Sequence, residues 1–268
     1  MIDVHCHLNF QKFENDFDEV IKQAQEDGVE VIINTGTSIE SSRRAVELAE
    51  QYTSLYAIIG IHPHHADKVE KGWDKELEKI AKSSKKVVAI GEIGLDYYSY
   101  ASNGVADPKL QKDLFIRQLE MAHDLGLPLQ IHNRQAGADI VEILDANKNL
   151  LQETPGMFHC MSGNLDFLDK VLEMGFCIGF DGNITYDGIA KGETSPLPEL
   201  VKQAPIDRIL TETDSPYLTP NPYRGSRNVP SHVIIVGEFI AKIKGLPAEK
   251  VESQTTQNAK RIFKLEKL

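Results

Sequence analysis

The sequence predicts an α/β chain folded as a single (β/α)8 TIM barrel with extra C-terminal helical segments. Three observations carry that prediction. Eight short runs rich in Val and Ile alternate with amphipathic stretches, as parallel strands covered on both faces by helices require. The runs recur at roughly 30 residues, the length of one strand–helix unit. The chain has 268 residues, close to the ~250 of a typical barrel. An open doubly wound sheet, the alternative, would display a Gly-rich phosphate loop after its first strand. Neither GxGxxG nor the Walker pattern is present.

In chain order, the apolar runs place strands at residues 2–7, 29–35, 55–62, 87–91, 127–132, 157–159, 176–180 and 208–213. Between them, helical patterns fall at 17–26, 41–51, 75–82, 109–125, 138–147, 165–174 and 197–202. The fourth is the clearest: Leu110, Leu114, Ile116, Leu119, Met121, Ala122 and Leu125 recur at threes and fours, one buried helix face. Two further helices, at 231–244 and 248–265, would complete the outer ring. No linker, low-complexity tract or charge block interrupts the chain, so residues 1–268 are expected to form one barrel domain. Two excursions, 97–108 and 181–196, follow the fourth and seventh strands on the face where barrels build active sites.

Composition narrows the function. With 41% apolar and 26% charged residues, the chain is neither disordered nor a disulfide-stapled miniature. No apolar run nears the ~18 residues of a membrane span, and Met1 to His5 do not open a signal peptide. Cys6, Cys160 and Cys177 lack CxxC spacing and read as reduced cytoplasmic thiols. A formal charge of −11 is not that of a protein coating nucleic acid electrostatically.

The polar residues are informative because of where they fall. His5 and His7 close the first predicted strand, His62 the third, Glu92 the fourth, His132 the fifth, His159 the sixth and Asp214 the eighth. In a barrel those ends converge on one mouth. Residues two apart on a strand share a face, so His5 and His7 point together while Cys6 turns outward. The same alternation turns Cys160 away from His159, making it a small buried apolar residue. His132 pairs in this way with Arg134, a cation suited to phosphate or carboxylate. Glu212 pairs with Asp214, with Asp214 at the strand end as ligand or general base and Glu212 one layer deeper. A carboxylate pointing into a barrel needs a partner or a cation. Four imidazoles and two carboxylates exceed what one divalent ion needs. Two ions ~3.5–4 Å apart, sharing a carboxylate, are the economical solution. The mixed shell suits Zn, Mn or Fe, with Mg tolerated at a carboxylate-rich edge. Such a pair also gives an acidic protein a positive hole for a phosphodiester.

Several motifs now stand in order: Ile2-Asp3-Val4-His5-Cys6-His7-Leu8, Gly60-Ile61-His62-Pro63, Gly91-Glu92-Ile93-Gly94-Leu95-Asp96-Tyr97-Tyr98, Ile131-His132-Asn133-Arg134, Phe158-His159-Cys160-Met161-Ser162-Gly163, Glu212-Thr213-Asp214-Ser215-Pro216 and Arg224-Gly225-Ser226-Arg227-Asn228. The set resembles, nearly end to end, the TatD-related deoxyribonucleases of the amidohydrolase-type metal-dependent hydrolases. The resemblance implies a (β/α)8 metal-dependent nuclease acting on DNA, often from an end. It also implies that His5, His7 and Asp214 hold one divalent ion, His132 and His159 a second, and Glu92 bridges them. Asp214 would take a proton from the attacking water. His62, Arg134 and the loop from Arg224 to Asn228 would contact phosphate or support the shell. DNA is then a transient substrate and no membrane is involved; the sequence itself is silent on oligomeric state and compatible with a monomer. The sequence departs from the family pattern at Ser226, at Ser99 and in the acidic stretch 187–196, all of which lower positive charge at the mouth. These departures leave open a second reading, the same site hydrolysing another phosphoester, an acyl ester or an amide of a small substrate or aminoacyl-tRNA.

Overall fold

Eight parallel strands follow one another around a barrel in chain order. They are β1 (Ile2–Cys6), β2 (Val31–Thr35), β3 (Leu55–Ile59), β4 (Val87–Asp96), β5 (Leu129–Arg134), β6 (Gly156–Phe158), β7 (Cys177–Phe180) and β8 (Ile209–Thr211). The computed structural model describes residues 1–101, 104–189 and 193–265. Ser102, Asn103 and Ala190 to Gly192, in the two predicted excursions, and residues 266–268 lie outside the described residues. First and last strands meet: Cys6 pairs in parallel with Ser215, and Thr211 Oγ1 donates to the Ile2 carbonyl at 3.1 Å. The open doubly wound alternative is thereby excluded.

The helices are α1 (Phe17–Glu26), α2 (Ile39–Gln51), α3 (Trp73–Ser83), α4 (Pro108–Leu125), α5 (Gly137–Ala146), α6 (Leu165–Glu173), α7 (Leu197–Gln203), α8 (Val233–Lys244) and α9 (Ala248–Phe263). Their ends are set by local chemistry. Ser38 and Ser41 form a reciprocal capping box on α2. Asp107 caps α4 ahead of Pro108, and Gly126 ends that helix in the left-handed conformation. Among the described residues no helix is long and apolar enough to cross a membrane.

Two apolar layers result. The larger lies between strands and helices and contains Cys6, so its outward orientation is as the alternation predicts. The smaller fills the barrel from its N-terminal end, where Ile2, Val4, Tyr56 and Val88 meet Ile262 and Phe263 of α9. The last helix thus closes the bottom of the barrel rather than extending the outer ring, because its apolar face matches the exposed ends of the strand interior.

Strand lengths differ from expectation at the functional end. β4 runs on to Asp96 and all ten of its residues are buried, whereas the apolar run in the sequence ends at Gly91 and places Glu92 at its close. β3 ends at Ile59, short of His62, and β8 ends at Thr211, short of Asp214. The β4–β5 register shifts between Ile90 and Ile93. Beyond the shift the two strands approach so closely at Gly94 (φ +138°) that a Cβ there would lie 2.0 Å from the His132 carbonyl oxygen.

Candidate metal centre

The strand ends surround a cavity of about 960 Å³ lined by imidazoles, carboxylates and aromatic rings. His5 and His7 enter it from β1. Gln130 donates its amide N–H to the Val4 carbonyl at 3.0 Å, which turns its oxygen toward His5 Nδ1 at 2.8 Å. His7 Nδ1 faces the Thr35 carbonyl at 2.9 Å. Both oxygens can only accept, so each ring carries its proton on Nδ1 and presents a lone pair at Nε2. The two Nε2 atoms lie 3.0 Å apart. Lone pairs at that separation repel unless a cation stands with them. Asp214 Oδ1 lies 3.5 and 3.4 Å from these nitrogens, and Glu92 Oε2 lies 3.8 and 3.9 Å away. Burial, then the neighbouring His159 and His7, push the His5 pKa well down, so a proton is a poor occupant there.

The other oxygen of Glu92 faces a second group. Oε1 lies 2.8 Å from His132 Nδ1, 3.7 Å from His159 Nε2 and 3.5 Å from His62 Nε2. The far nitrogens of two of these rings again meet acceptors: His132 Nε2 is 3.2 Å from Asp96 Oδ2, and His159 Nδ1 is 3.0 Å from Glu212 Oε1. Burial works against protonating either ring. Asp96 and Glu92 nevertheless push the His132 pKa up to about 9, and Glu212 chiefly pushes that of His159 up to about 10. Burial likewise opposes ionising Glu92, yet His62, His132 and His159 hold its carboxyl well below the usual range. Both groups therefore call for positive charge between nitrogen and carboxylate donors. Imidazoles fixed through their second nitrogens are the donor set of a divalent metal site, and the residues fit such ions.

His62 differs. Its Nδ1 accepts the backbone N–H of His64 at 3.1 Å, so a neutral ring carries its proton on Nε2 and donates into the site. It sits in the loop beyond β3, not at a strand end. Arg134, at the end of β5, stacks over Tyr98 at 4.3 Å and donates to the Tyr100 hydroxyl at 2.7 Å, at the cavity wall. Arg224 also lines the cavity, 3.9 Å over the Tyr186 ring. Glu212 is fully buried behind His159 and accepts the Cys160 N–H. Asn228 does not reach the cavity. It is fully buried, and its amide donates to the Thr213 and Tyr217 carbonyls at 2.8 and 2.6 Å, fixing the segment that carries Asp214. Arg227 turns away into a bidentate pair with Asp16.

The expectation for Cys160 is overturned too. Cys160 lines the cavity instead of packing as an outward apolar residue. β6 ends at Phe158, and Cys160 adopts φ +46°, so strand alternation no longer governs it. Asn183 Nδ2 lies 3.3 Å from its sulfur, and burial pushes its thiol pKa up.

The residue that sequence reasoning passed over is Asp96. Fully buried, it accepts the Tyr98 N–H at 2.9 Å and the Tyr100 hydroxyl at 3.0 Å, and meets His132 and His64 Nε2 at 3.2 and 3.0 Å. The signal was available: Asp96 shares strand parity with Glu92 once β4 is carried through Ile93 and Leu95. Gln130, facing the His5 ring from within β5, was likewise unmarked.

The chain matches the family model described as TatD related DNase over residues 2–264. It is 40% identical over 269 residues to the metal-dependent hydrolase YabD of Bacillus subtilis, covering 99% of each chain. It is 34% identical over 270 residues to a protein of Erwinia tasmaniensis named 3'-5' ssDNA/RNA exonuclease TatD, covering 99% of this chain and 100% of that one. The crystal structure of YJJV, a TatD homologue from Escherichia coli, superposes with a TM-score of 0.88 at 29% identity, covering 98% of each chain. With these likenesses spanning the barrel and the mouth alike, the chain belongs to the TatD-related DNase family and is a metal-dependent hydrolase of that family.

Proposed function

We propose that this hydrolase is a two-metal phosphodiesterase that removes nucleotides from the ends of single-stranded DNA in the cytoplasm. The observation carrying the reading is Glu92, whose two oxygens face two separate nitrogen groups, Oε2 toward His5 and His7 and Oε1 toward His132 and His159. His5, His7 and Asp214 would hold one divalent ion, His132 and His159 the other, with Glu92 between them; Zn, Mn and Mg are the candidates. Bound there, the ions would supply an activated water and positive charge against the phosphodiester oxygens. The chain's own groups do the rest. His62 donates its Nε2 proton toward the phosphoryl group, and Arg134 and Arg224, both lining the cavity, grip phosphate. Asp214 receives the proton of the attacking water at its carboxylate. The name of the Erwinia relative supports a single-stranded nucleic acid as substrate.

A second reading, hydrolysis of a small phosphoester or acyl ester by the same site, is favoured by Glu193, an acid lining the same cavity as Arg134, whose negative charge disfavours a polyanion. One experiment separates the two. Protein stripped with chelator and refilled with Mg, Mn or Zn is given end-labelled single-stranded DNA, beside Glu92→Ala. Stepwise shortening by refilled wild type and none by the variant is the expected result. Metal binding without DNA cleavage would refute the nuclease reading, and full turnover by Glu92→Ala would refute the bridging role.

A further inference from the structure

Five aromatic rings other than imidazoles line the described cavity, and each has a cation or another ring against it. Tyr98 and Tyr100 carry the Arg134 guanidinium at 4.3 and 5.3 Å. Tyr186 carries Arg224 and donates its hydroxyl to the Thr219 carbonyl at 2.8 Å. Phe10 lies flat on His7, with centroids 4.4 Å apart and an interplanar angle of 9°. Tyr217 differs, remaining 45% exposed at the rim with Phe10 edge-on at 6.5 Å.

We propose that Tyr217, flanked by Phe10 and Lys12, is a stacking platform for an unpaired nucleobase at the end of the substrate strand. The proposal rests on the nuclease reading above and narrows its substrate. Both rings are held in register with candidate metal ligands. Tyr217 donates its N–H to the Asp214 carbonyl at 2.8 Å and accepts the Asn228 amide at its own carbonyl at 2.6 Å. Phe10 donates its N–H to the His7 carbonyl at 3.0 Å. A base laid on Tyr217 therefore holds its attached phosphodiester at a fixed offset from His7 and Asp214.

Lys12 completes the site. Its Nζ lies 4.8 Å from the Tyr217 ring centroid, and the Lys12 backbone is pinned by Arg227, which donates to its carbonyl at 2.6 Å. A base that takes over the ring displaces an exposed, flexible ammonium by only a few bonds, leaving it at the rim for the next phosphate. An aromatic face with an adjacent cation is how single strands are gripped without sequence preference. A base still paired would bring its partner strand into the same mouth, so the platform selects unpaired ends.

The test uses phosphorothioate-ended single strands with 2-aminopurine at either terminus, whose fluorescence is quenched on stacking, and matched strands ending in an abasic tetrahydrofuran unit. Metal-loaded wild type is expected to quench the probe at one terminus and to bind that base-ended strand on the order of 10-fold more tightly than its abasic match. Tyr217→Ala should abolish the quench and bring the affinity ratio close to one; Tyr217→Phe should restore both. A Tyr217→Ala protein that keeps the quench and the ratio overturns the platform while leaving the nuclease reading intact. A wild type that cleaves and binds no unmodified single strand overturns both.

Discussion

Replacing Asp96 by Asn isolates the part played by a carboxylate one layer behind the metal candidates. The exchange keeps the shape and an oxygen for the Tyr98 N–H, which Asp96 accepts at 2.9 Å, so the β4–α4 connection should survive. It removes the charge 3.2 Å from His132 Nε2 that fixes which nitrogen of that ring carries the proton. Loss of such an outer partner costs 10–100-fold in metal affinity; the buried location of Asp96 puts the expectation at about 30-fold, or ~2 kcal/mol. Competition against a chromogenic chelator should resolve two binding steps in wild type, with only one weakened in the variant. The other, at His5, His7 and Asp214, serves as the internal control. In metal-free protein, imidazole NMR should show His132 falling from its raised value of about 9, since its hydrogen bond to Asp96 helps to overcome burial. Unchanged binding steps together with an unmoved His132 would refute the assignment of Asp96 as the group that orients this ring.

Three further outcomes are expected. In metal-free protein the raised pKa values of His132 (about 9) and His159 (about 10) lie above the ordinary 6.5, so their stabilisation is complete below 6.5 and lost as pH rises through 9 and 10. Thermal unfolding without metal should therefore shift to lower temperature between those limits, and saturating Zn should flatten the slope; a level metal-free profile would contradict it. Gly94→Ala should cost at least about 3 kcal/mol in urea unfolding, because a Cβ 2.0 Å from the His132 carbonyl forces two central strands apart and φ +138° is strained for alanine. Arg134→Lys should raise KM for a phosphodiester by about 10-fold with a smaller change in kcat, since lysine keeps the charge but loses the planar stack on Tyr98.

The barrel was legible because each unit repeats one rule, a buried apolar run followed by a helix with a 3.6-residue stripe, and the β1 histidines because a two-residue period fixes their face. Legibility failed where that period breaks. The apolar run stops at Gly91 while the strand goes on through Glu92 and Gly94, which hides the continuation of β4 and with it Asp96. The left-handed turn at Cys160 released that thiol from strand parity. Asn228 sits in a motif beside two arginines, yet nothing local tells that its amide is spent on two backbone carbonyls. Such distinctions depend on partners distant in sequence, which patterns of spacing do not carry.

The two ends of the excursion after β4 are tied to the same residue. Tyr98 and Tyr100 bond to the Asp96 side chain from one end. From the other, Gln111 of α4 accepts the Asp96 N–H at 2.8 Å and donates to both the Asp96 and Ala106 carbonyls at 2.9 Å. The excursion is thus a loop with a closed neck. A change made between Tyr100 and Ala106 is expected to leave His132 in place, because Asp96 is held from both sides. A lineage could edit that segment while inheriting its hydrolytic chemistry unaltered, and an engineer grafting a foreign segment should cut between the two ties.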